Sequence, residues 1–245
     1  MKRSVLLITS LVFGTLAFSQ TKSKGILGGV KEAITKTTKG GTSSALSNDE
    51  IIAGLKEALS QGATNSSGKL STVDGFFKDA AVKILMPEQV QKVEKKMRTF
   101  GMGKMVDNAI LSMNRAAEDA SKSAAPIFLN AIKGMSVSDA LNILRGTDTA
   151  ATGYLKKNTT NPLTEAFRPI VEESLKKVDA TKYWKDVFSV YNKFSSEPVN
   201  TDLNAYVTEK ALQGIFYYVA EEEKKIRKDP AARATDLLKK VFGSK

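Results

Sequence analysis

The stretch Ser47-Asn-Asp-Glu-Ile-Ile-Ala-Gly-Leu-Lys-Glu-Ala-Leu59 decides how this chain folds. Ser47 with Glu50 three residues on is a capping box. The hydroxyl accepts the Glu50 N–H, and the carboxylate reaches back to the Ser47 N–H. Behind the cap, Ile51, Ile52, Leu55 and Leu59 recur at helical spacing and leave one apolar face. The spacing predicts a helix from Ser47 to near Gly62.

Toward the C terminus the pattern repeats. Val73 to Leu85 reads as a second, short helix. Pro87 stands where a first-turn proline belongs and opens a third through Val90, Val93 and Met97, punctuated by Gly101 and Gly103. Lys104 to about Lys122 is a long helix carrying Met105, Ile110, Leu111 and Met113. Pro126 starts or kinks the next, which runs through Phe128 and Ile132 to Gly134. Ser136 with Asp139 opens a helix through Leu141 and Leu144, closed by Gly146. Asp148 is the expected cap of a helix through Tyr154 and Leu155. Pro162 opens another, with Phe167, Ile170, Val171 and Leu175. Pro169 should kink or split it, because proline lacks the backbone donor and clashes with the preceding turn. Asp179 caps a helix from Tyr183-Trp184 to about Phe194. Residues 202–228 read as the longest helix, and Asp229-Pro230 ends it and starts the last, with Leu237, Leu238, Val241 and Phe242.

Alternating β-branched runs are missing, and no period of repeat-protein length recurs. An all-α fold follows: a compact bundle of about nine to ten helices without a sheet. It is expected as a single domain over residues 47–245, with a soft division near 134–136.

Toward the N terminus the character changes. Met1-Lys2-Arg3, the apolar run Ser4–Phe18 and the small residues Ala17 and Ser19 form a signal-peptide pattern, with cleavage expected after Ser19. The apolar run is about 15 residues, short of the roughly 20 that a spanning helix needs. The mature protein is then expected in the periplasm or otherwise outside the cytoplasm. Residues 20–46, rich in Gly, Ser, Thr and Lys, read as a flexible basic tether.

Composition narrows function by exclusion. The chain has no cysteine and no histidine. Disulfides, a thiol nucleophile, a lipobox cysteine, a Ser-His-Asp triad and ordinary zinc sites all drop out, and no cofactor or metal is expected. The formal net charge is +11. Lys2 and Arg3 supply two of those charges and residues 20–46 a net four more, which leaves +5 for residues 47–245. No basic stripe interleaved with aromatics appears, so nucleic acid is not an expected partner. The tether reads as a plain linker, the alternative being weak contact with an anionic membrane surface. No phosphate loop, nucleophile elbow, Ser-x-x-Lys or metalloprotease motif occurs.

Four places offer chemistry. Arg115 lies within helical reach of Glu118 and Asp119, either as a structural ion cluster or as a carboxylate pair for acid–base work. Asp148 sits among hydroxyls at a helix start, where free N–H groups cap on a side chain or hold an anion. Trp184, Phe188 and Tyr191 share a helical face. With the Phe216-Tyr217-Tyr218 cluster they are either core or the lining of an aromatic groove for an apolar ligand or partner helix. Arg227 and Arg233 flank Asp229-Pro230, as a staple for the final helix or as an anion site. Glu221-Glu222-Glu223 reads as a solvated helix end.

The runs 46–59, Asn114-Arg-Ala-Ala-Glu-Asp-Ala120, Thr147-Asp-Thr-Ala-Ala-Thr152 and Lys228-Asp-Pro-Ala-Ala-Arg-Ala-Thr-Asp-Leu-Leu-Lys-Lys-Val-Phe242 resemble the bacterial domain of unknown function family 4197. The resemblance covers roughly residues 46–243 and implies a helical protein exported by a Gram-negative bacterium. It implies no activity and no catalytic residues. Some members look like lipoproteins, from which this chain departs in having no cysteine.

These readings converge on a non-enzymatic periplasmic binding or interaction protein. Its partner is an apolar ligand or an envelope protein, met near Trp184 and Tyr217. One alternative is a hydrolase of envelope polymers built on two carboxylates from Glu118, Asp119, Asp148, Glu209 and Glu221. The other is a peripheral membrane-surface protein held by the basic tether.

Overall fold

The computed structural model describes residues 47–177, 180–193, 196, 198, 201–233 and 235–243. The expected signal peptide, tether, Asp179 cap and Phe194 terminus lie outside the described residues.

The fold is all-α, with no strand among the described residues. Its helices are α1 (Asn48–Leu70), α2 (Gln91–Met97), α3 (Gly103–Ser121), α4 (Ala124–Lys133), α5 (Val137–Arg145), α6 (Ala150–Lys176), α7 (Ala180–Asn192), α8 (Leu203–Lys228) and α9 (Asp236–Gly243). Six of these reach ten residues, fewer than the nine to ten helices expected; α2, α5 and α9 are short. Residues 44–245 form one compact unit.

α1 opens on the expected capping box, with Ser47 N–H donating to the Glu50 carboxylate at 2.9 Å. It does not stop at Gly62. It continues to Leu70, because Gly62 marks a close approach: a Cβ there would lie 3.3 Å from Glu222 Cβ on α8. Lys69 near the end of α1 sits over the Tyr218 ring, earlier in α8, so the two helices run antiparallel.

Residues 73–85 are not a helix but a chain of turns. Asp74 has φ 70°, and a Cβ on Gly75 would fall 2.6 and 2.7 Å from the carbonyl oxygens of Lys69 and Leu70. A helix cannot pass through that corner. Side chains of α3 satisfy the backbone that the helix would have satisfied. Glu118 accepts the N–H groups of Phe76 and Phe77, both at 3.1 Å. Asn114 accepts from Ile84 N–H at 2.8 Å and donates to Ile84 C=O at 2.8 Å. Phe76, so held, is completely buried. Pro87 precedes a 3₁₀ turn, Glu88–Val90, rather than entering α2 directly.

α6 merges the two helices expected on either side of Pro162, and at 27 residues it rather than α8, at 26, is the longest. Pro162 and Pro169 are seven residues apart on the exposed face. The carbonyls they leave without N–H partners therefore face solvent, and packing of the opposite face holds the helix together. That face is a row of buried side chains, Leu155, Thr159, Leu163, Phe167, Val171 and Leu175.

α6 lies against α8 and α3, and α1 against α8, α4 and α9. Glu223 near the end of α8 meets the start of α6, and Asp202 before α8 pairs with Arg168 at 2.9 Å. α6 and α8 are thus an antiparallel central pair. Phe128 of α4 closes on Phe216 of α8 edge to face, centroids 5.8 Å apart.

Candidate functional site

Most of the charged candidates are consumed by the architecture. Arg115 donates to Glu118 at 2.6 Å and to Asp74 at 2.7 Å, and Glu118 is 3% exposed. The arrangement pins the 73–85 turns to α3, with a carboxylate whose lone pairs are taken by one guanidinium and two backbone N–H groups. Asp119 turns away to Lys122 and to the Ser174 hydroxyl on α6, so the neighbouring carboxylates never share a cleft.

Asp148 does not cap α6. It pairs with Lys228 at 2.8 Å, and that cation holds its carboxyl below the usual range. The cap comes from α8. Glu223 accepts the N–H groups of Ala151 and Thr152 at 3.0 and 2.8 Å, and the Thr152 hydroxyl at 2.8 Å. The helix N terminus therefore holds an anion as its chemistry allows, but the anion is a side chain of the protein. Glu223 is buried, contrary to the expected solvated end, because Arg227 one turn later also points inward and donates to it at 2.9–3.0 Å and to Ile143 C=O at 2.8 Å. Arg233 folds back to donate to the carbonyls of Ile226 and Arg227 at the end of α8, at 3.1 and 3.0 Å. It is a staple before α9.

The aromatic candidates divide. Trp184 is 5% exposed, lies edge to face with Phe188 (4.4 Å between centroids) and stacks on Tyr206 of α8 (5.8 Å). Tyr191 lies in α7, and its side chain is outside the described residues. Tyr217, on α8, is 44% exposed and faces elsewhere. With Tyr206, Lys210 and Gln213 it lines a polar groove of about 610 Å³ over residues 81–91. The wall between the two aromatic groups is Tyr206. Its hydroxyl donates to Leu85 C=O at 2.8 Å, and burial, with Glu209 nearby, pushes its phenol up to about 12.

Beside Trp184 lies a second groove, of about 570 Å³, between α2, α3, α7 and the start of α8. Its deepest lining is Val106, Met113, Trp184, Phe188 and Leu203, all buried. Met86, Met97 and Met105 form the upper walls, with Lys104 and Asn108 exposed at the edge. Four of the chain's seven methionines meet here. Thioether side chains are unbranched and polarisable, and re-pack around irregular apolar shapes. The volume falls in the ordinary range for small-molecule sites, and a mostly apolar lining with a few polar groups at one end is the usual composition. Sequence reading placed Met97, Met105 and Met113 in helices but not in one wall, and it missed Met86 and Lys104.

Among the described residues, no group of His, Cys, Asp or Glu is arranged to hold a metal ion, and no helix is long and apolar enough to cross a membrane. The protein is thus a helical fold whose charged candidates bond to one another or to the backbone, and which carries, beside a polar groove, one lined by methionine and tryptophan. The family model described as "Protein of unknown function (DUF4197)" matches residues 45–243, and the chain belongs to that family. No curated protein and no solved structure matches it.

Proposed function

We propose that this is a non-enzymatic binding module that takes a lipid-like amphiphile into the Trp184 groove, with the apolar body against Met86, Met97, Met105 and Met113 and a polar or anionic end at Lys104. The observation that carries this is the groove itself: continuous apolar lining, buried at the base, with one cation at its edge. The signal-like residues 1–19 support placing the activity outside the cytoplasm, in a Gram-negative periplasm. Nothing favours the carboxylate-hydrolase alternative. Glu118, Asp119, Asp148 and Glu221 are each bound to a cation and Glu209 to Gln213.

Trp184 is the sole tryptophan, so its emission reports this groove without labelling. Titration with a monomeric fatty acid or lysophospholipid is expected to shift that emission saturably at one equivalent and to raise the melting temperature. Met105 is 51% exposed, so Met105→Asp should leave the fold intact. A ligand covering the exposed half of a methionine gains about 1.4 kcal/mol, so this variant should weaken binding about tenfold. Unchanged emission and melting across acyl amphiphiles would remove the proposal.

A further inference from the structure

Next to the groove the chain builds an arm, Gln91–Met102, that touches the core through Met97. α2 packs chiefly on α3 and its flanking turns. No residue from Gln91 to Met102 is buried. The arm turns back through Arg98–Met102, where Gly101 has φ 80°. Arg98 secures the turn by pairing with Glu94 at 3.0 Å on one side and Asp107 at 2.8 Å on the other.

At the tip Phe100 is 77% exposed, with Met102 at 40% and Met105 at 51% beside it. These are three of the eight large apolar side chains left exposed in the described structure, gathered within six residues. Around them stand Lys92, Lys95, Lys96 and Lys104, all exposed and without an ion-pair partner among the described residues. Arg98 meets two carboxylates, and Glu88 is exposed at the base of the arm, so residues 88–107 carry five cations against three anions, a net +2. The arm thus offers an apolar point flanked by an excess of positive charge.

Such an apolar tip is stable in water only at a cost, and the ring of charge indicates what relieves it. Protein interfaces are depleted in lysine at their cores and build on flat or concave aromatic and arginine pockets. So exposed a tip suits a deformable surface. Lysine stems lie along apolar material while their ammonium groups stay at the polar level, which is the geometry of a headgroup boundary. We propose that the α2–α3 arm docks the protein on an anionic lipid surface. Phe100 and Met102 enter the headgroup–acyl boundary, and Lys92, Lys95, Lys96 and Lys104 lie over the anionic headgroups. Met97 and Met105, which belong to both arm and groove, then bring the groove edge to the lipid. The docking stands on the arm alone and does not require the amphiphile reading.

The test is sedimentation of the full chain with phosphatidylcholine vesicles prepared with and without phosphatidylglycerol, at low and high salt. Binding is expected only with phosphatidylglycerol and should weaken as salt rises. Each lysine near an anionic surface is worth about fivefold, so Lys92→Gln/Lys95→Gln/Lys96→Gln should lose about a hundredfold. Phe100→Asp should lose roughly ten- to a hundredfold. Because all four positions are exposed, each variant should melt with the parent, and Trp184 emission should respond to monomeric amphiphile as before. Equal binding to pure phosphatidylcholine would overturn the proposal. So would arm variants that sediment like the parent, which would assign binding to Lys22–Lys39 instead. Loss of vesicle binding with amphiphile binding intact supports the arm whatever becomes of the groove.

Discussion

Replacing Glu223 by glutamine tests the account of the core most severely. Five donors converge on this one carboxylate: two backbone N–H groups of α6, the Thr152 hydroxyl, and Nε and Nη2 of Arg227. Glutamine keeps the shape but turns one oxygen into an amino group, which must then face donors. The Thr152 hydroxyl can rotate to accept, but a backbone N–H or the guanidinium stays unmatched. The side chains of Glu223 and Arg227 are 4% and 7% exposed, so water screens little. Stranding one partner of a buried pair costs about 3–5 kcal/mol, and an unpaired helix cap about 0.5–2 kcal/mol. The two overlap, and Arg227 retains Ile143 C=O. A net loss of about 3–4 kcal/mol is expected, out of a total stability of about 5–15 kcal/mol. For a domain of this size the melting temperature should fall by roughly 6–16 °C. Circular-dichroism melts and urea titrations of Glu223→Gln and Glu222→Gln measure it. Glu222 makes only longer contacts to Asn65 and Lys225, at 3.2 and 3.8 Å, and its replacement should stay within about 0.5 kcal/mol. Adding Arg227→Met to Glu223→Gln removes the stranded cation and should return part of the loss. A cost under about 1 kcal/mol for Glu223→Gln, or a double variant no more stable than the single, would refute the reasoning.

Gly214→Ala should destabilise by about 1–3 kcal/mol, because the new Cβ would lie 2.5 Å from Cε1 of the fully buried Phe76. Gly153→Ala, on α6 with nothing within 4 Å, should instead stabilise by about 0.5–1 kcal/mol; equal signs in the two urea titrations would contradict the packing described. Acid should act through the aspartates. Lys78 and Arg115 hold Asp74 below its ordinary value of 3.8, and Lys228 does the same for Asp148. Burial raises Asp79 and Asp119, but bonds from Tyr218 and Lys69 to the first, and from Lys122 and Ser174 to the second, outweigh it and leave both depressed. Depressed folded values favour the fold above the unfolded value, and that stability is lost as pH falls through the folded ones. With no histidine in the chain, the urea midpoint should be flat from about pH 8 to 5 and drop below about pH 4; a fall between pH 7 and 5.5 would contradict this.

The helices legible in the sequence are those whose caps are local. Ser47 with Glu50 and Ser136 with Asp139 each complete a capping box within four residues, and both form as read. Errors arise where the partner is far along the chain. The turns at 73–85 are satisfied by Asn114 and Glu118, 30 to 42 residues away, and the start of α6 by Glu223, 71 to 72 residues away. No local pattern distinguishes a backbone that bonds to itself from one that a remote side chain will complete. Pro162 and Pro169 mislead for a related reason: each is a breaker by its own chemistry, and the opposite, buried face of α6 carries the helix past both. The groove was half visible. Trp184 stood out as the only tryptophan, but methionines scattered from Met86 to Met113 look like core until the arm folds back and stacks them into one wall.

What is exposed here is set by what the core has already consumed. Glu118, Asn114, Glu223, Arg227 and Arg233 are buried or nearly so, and each spends its hydrogen-bonding capacity on backbone groups or on another of the set. Catalysis needs the opposite: a titratable group held in a cleft with lone pairs or protons to spare. Other described groups face the two surfaces proposed for binding: thioethers and an indole lining a groove with one lysine at its edge, and lysines with a phenylalanine on the arm. Thioethers and an indole suit apolar bodies, and lysines suit negative surface charge, which is what the two proposed binding modes use. Ion-pair staples in the body, with exposed apolar and cationic side chains around α2 and α3, are the distribution that the proposed binding would use.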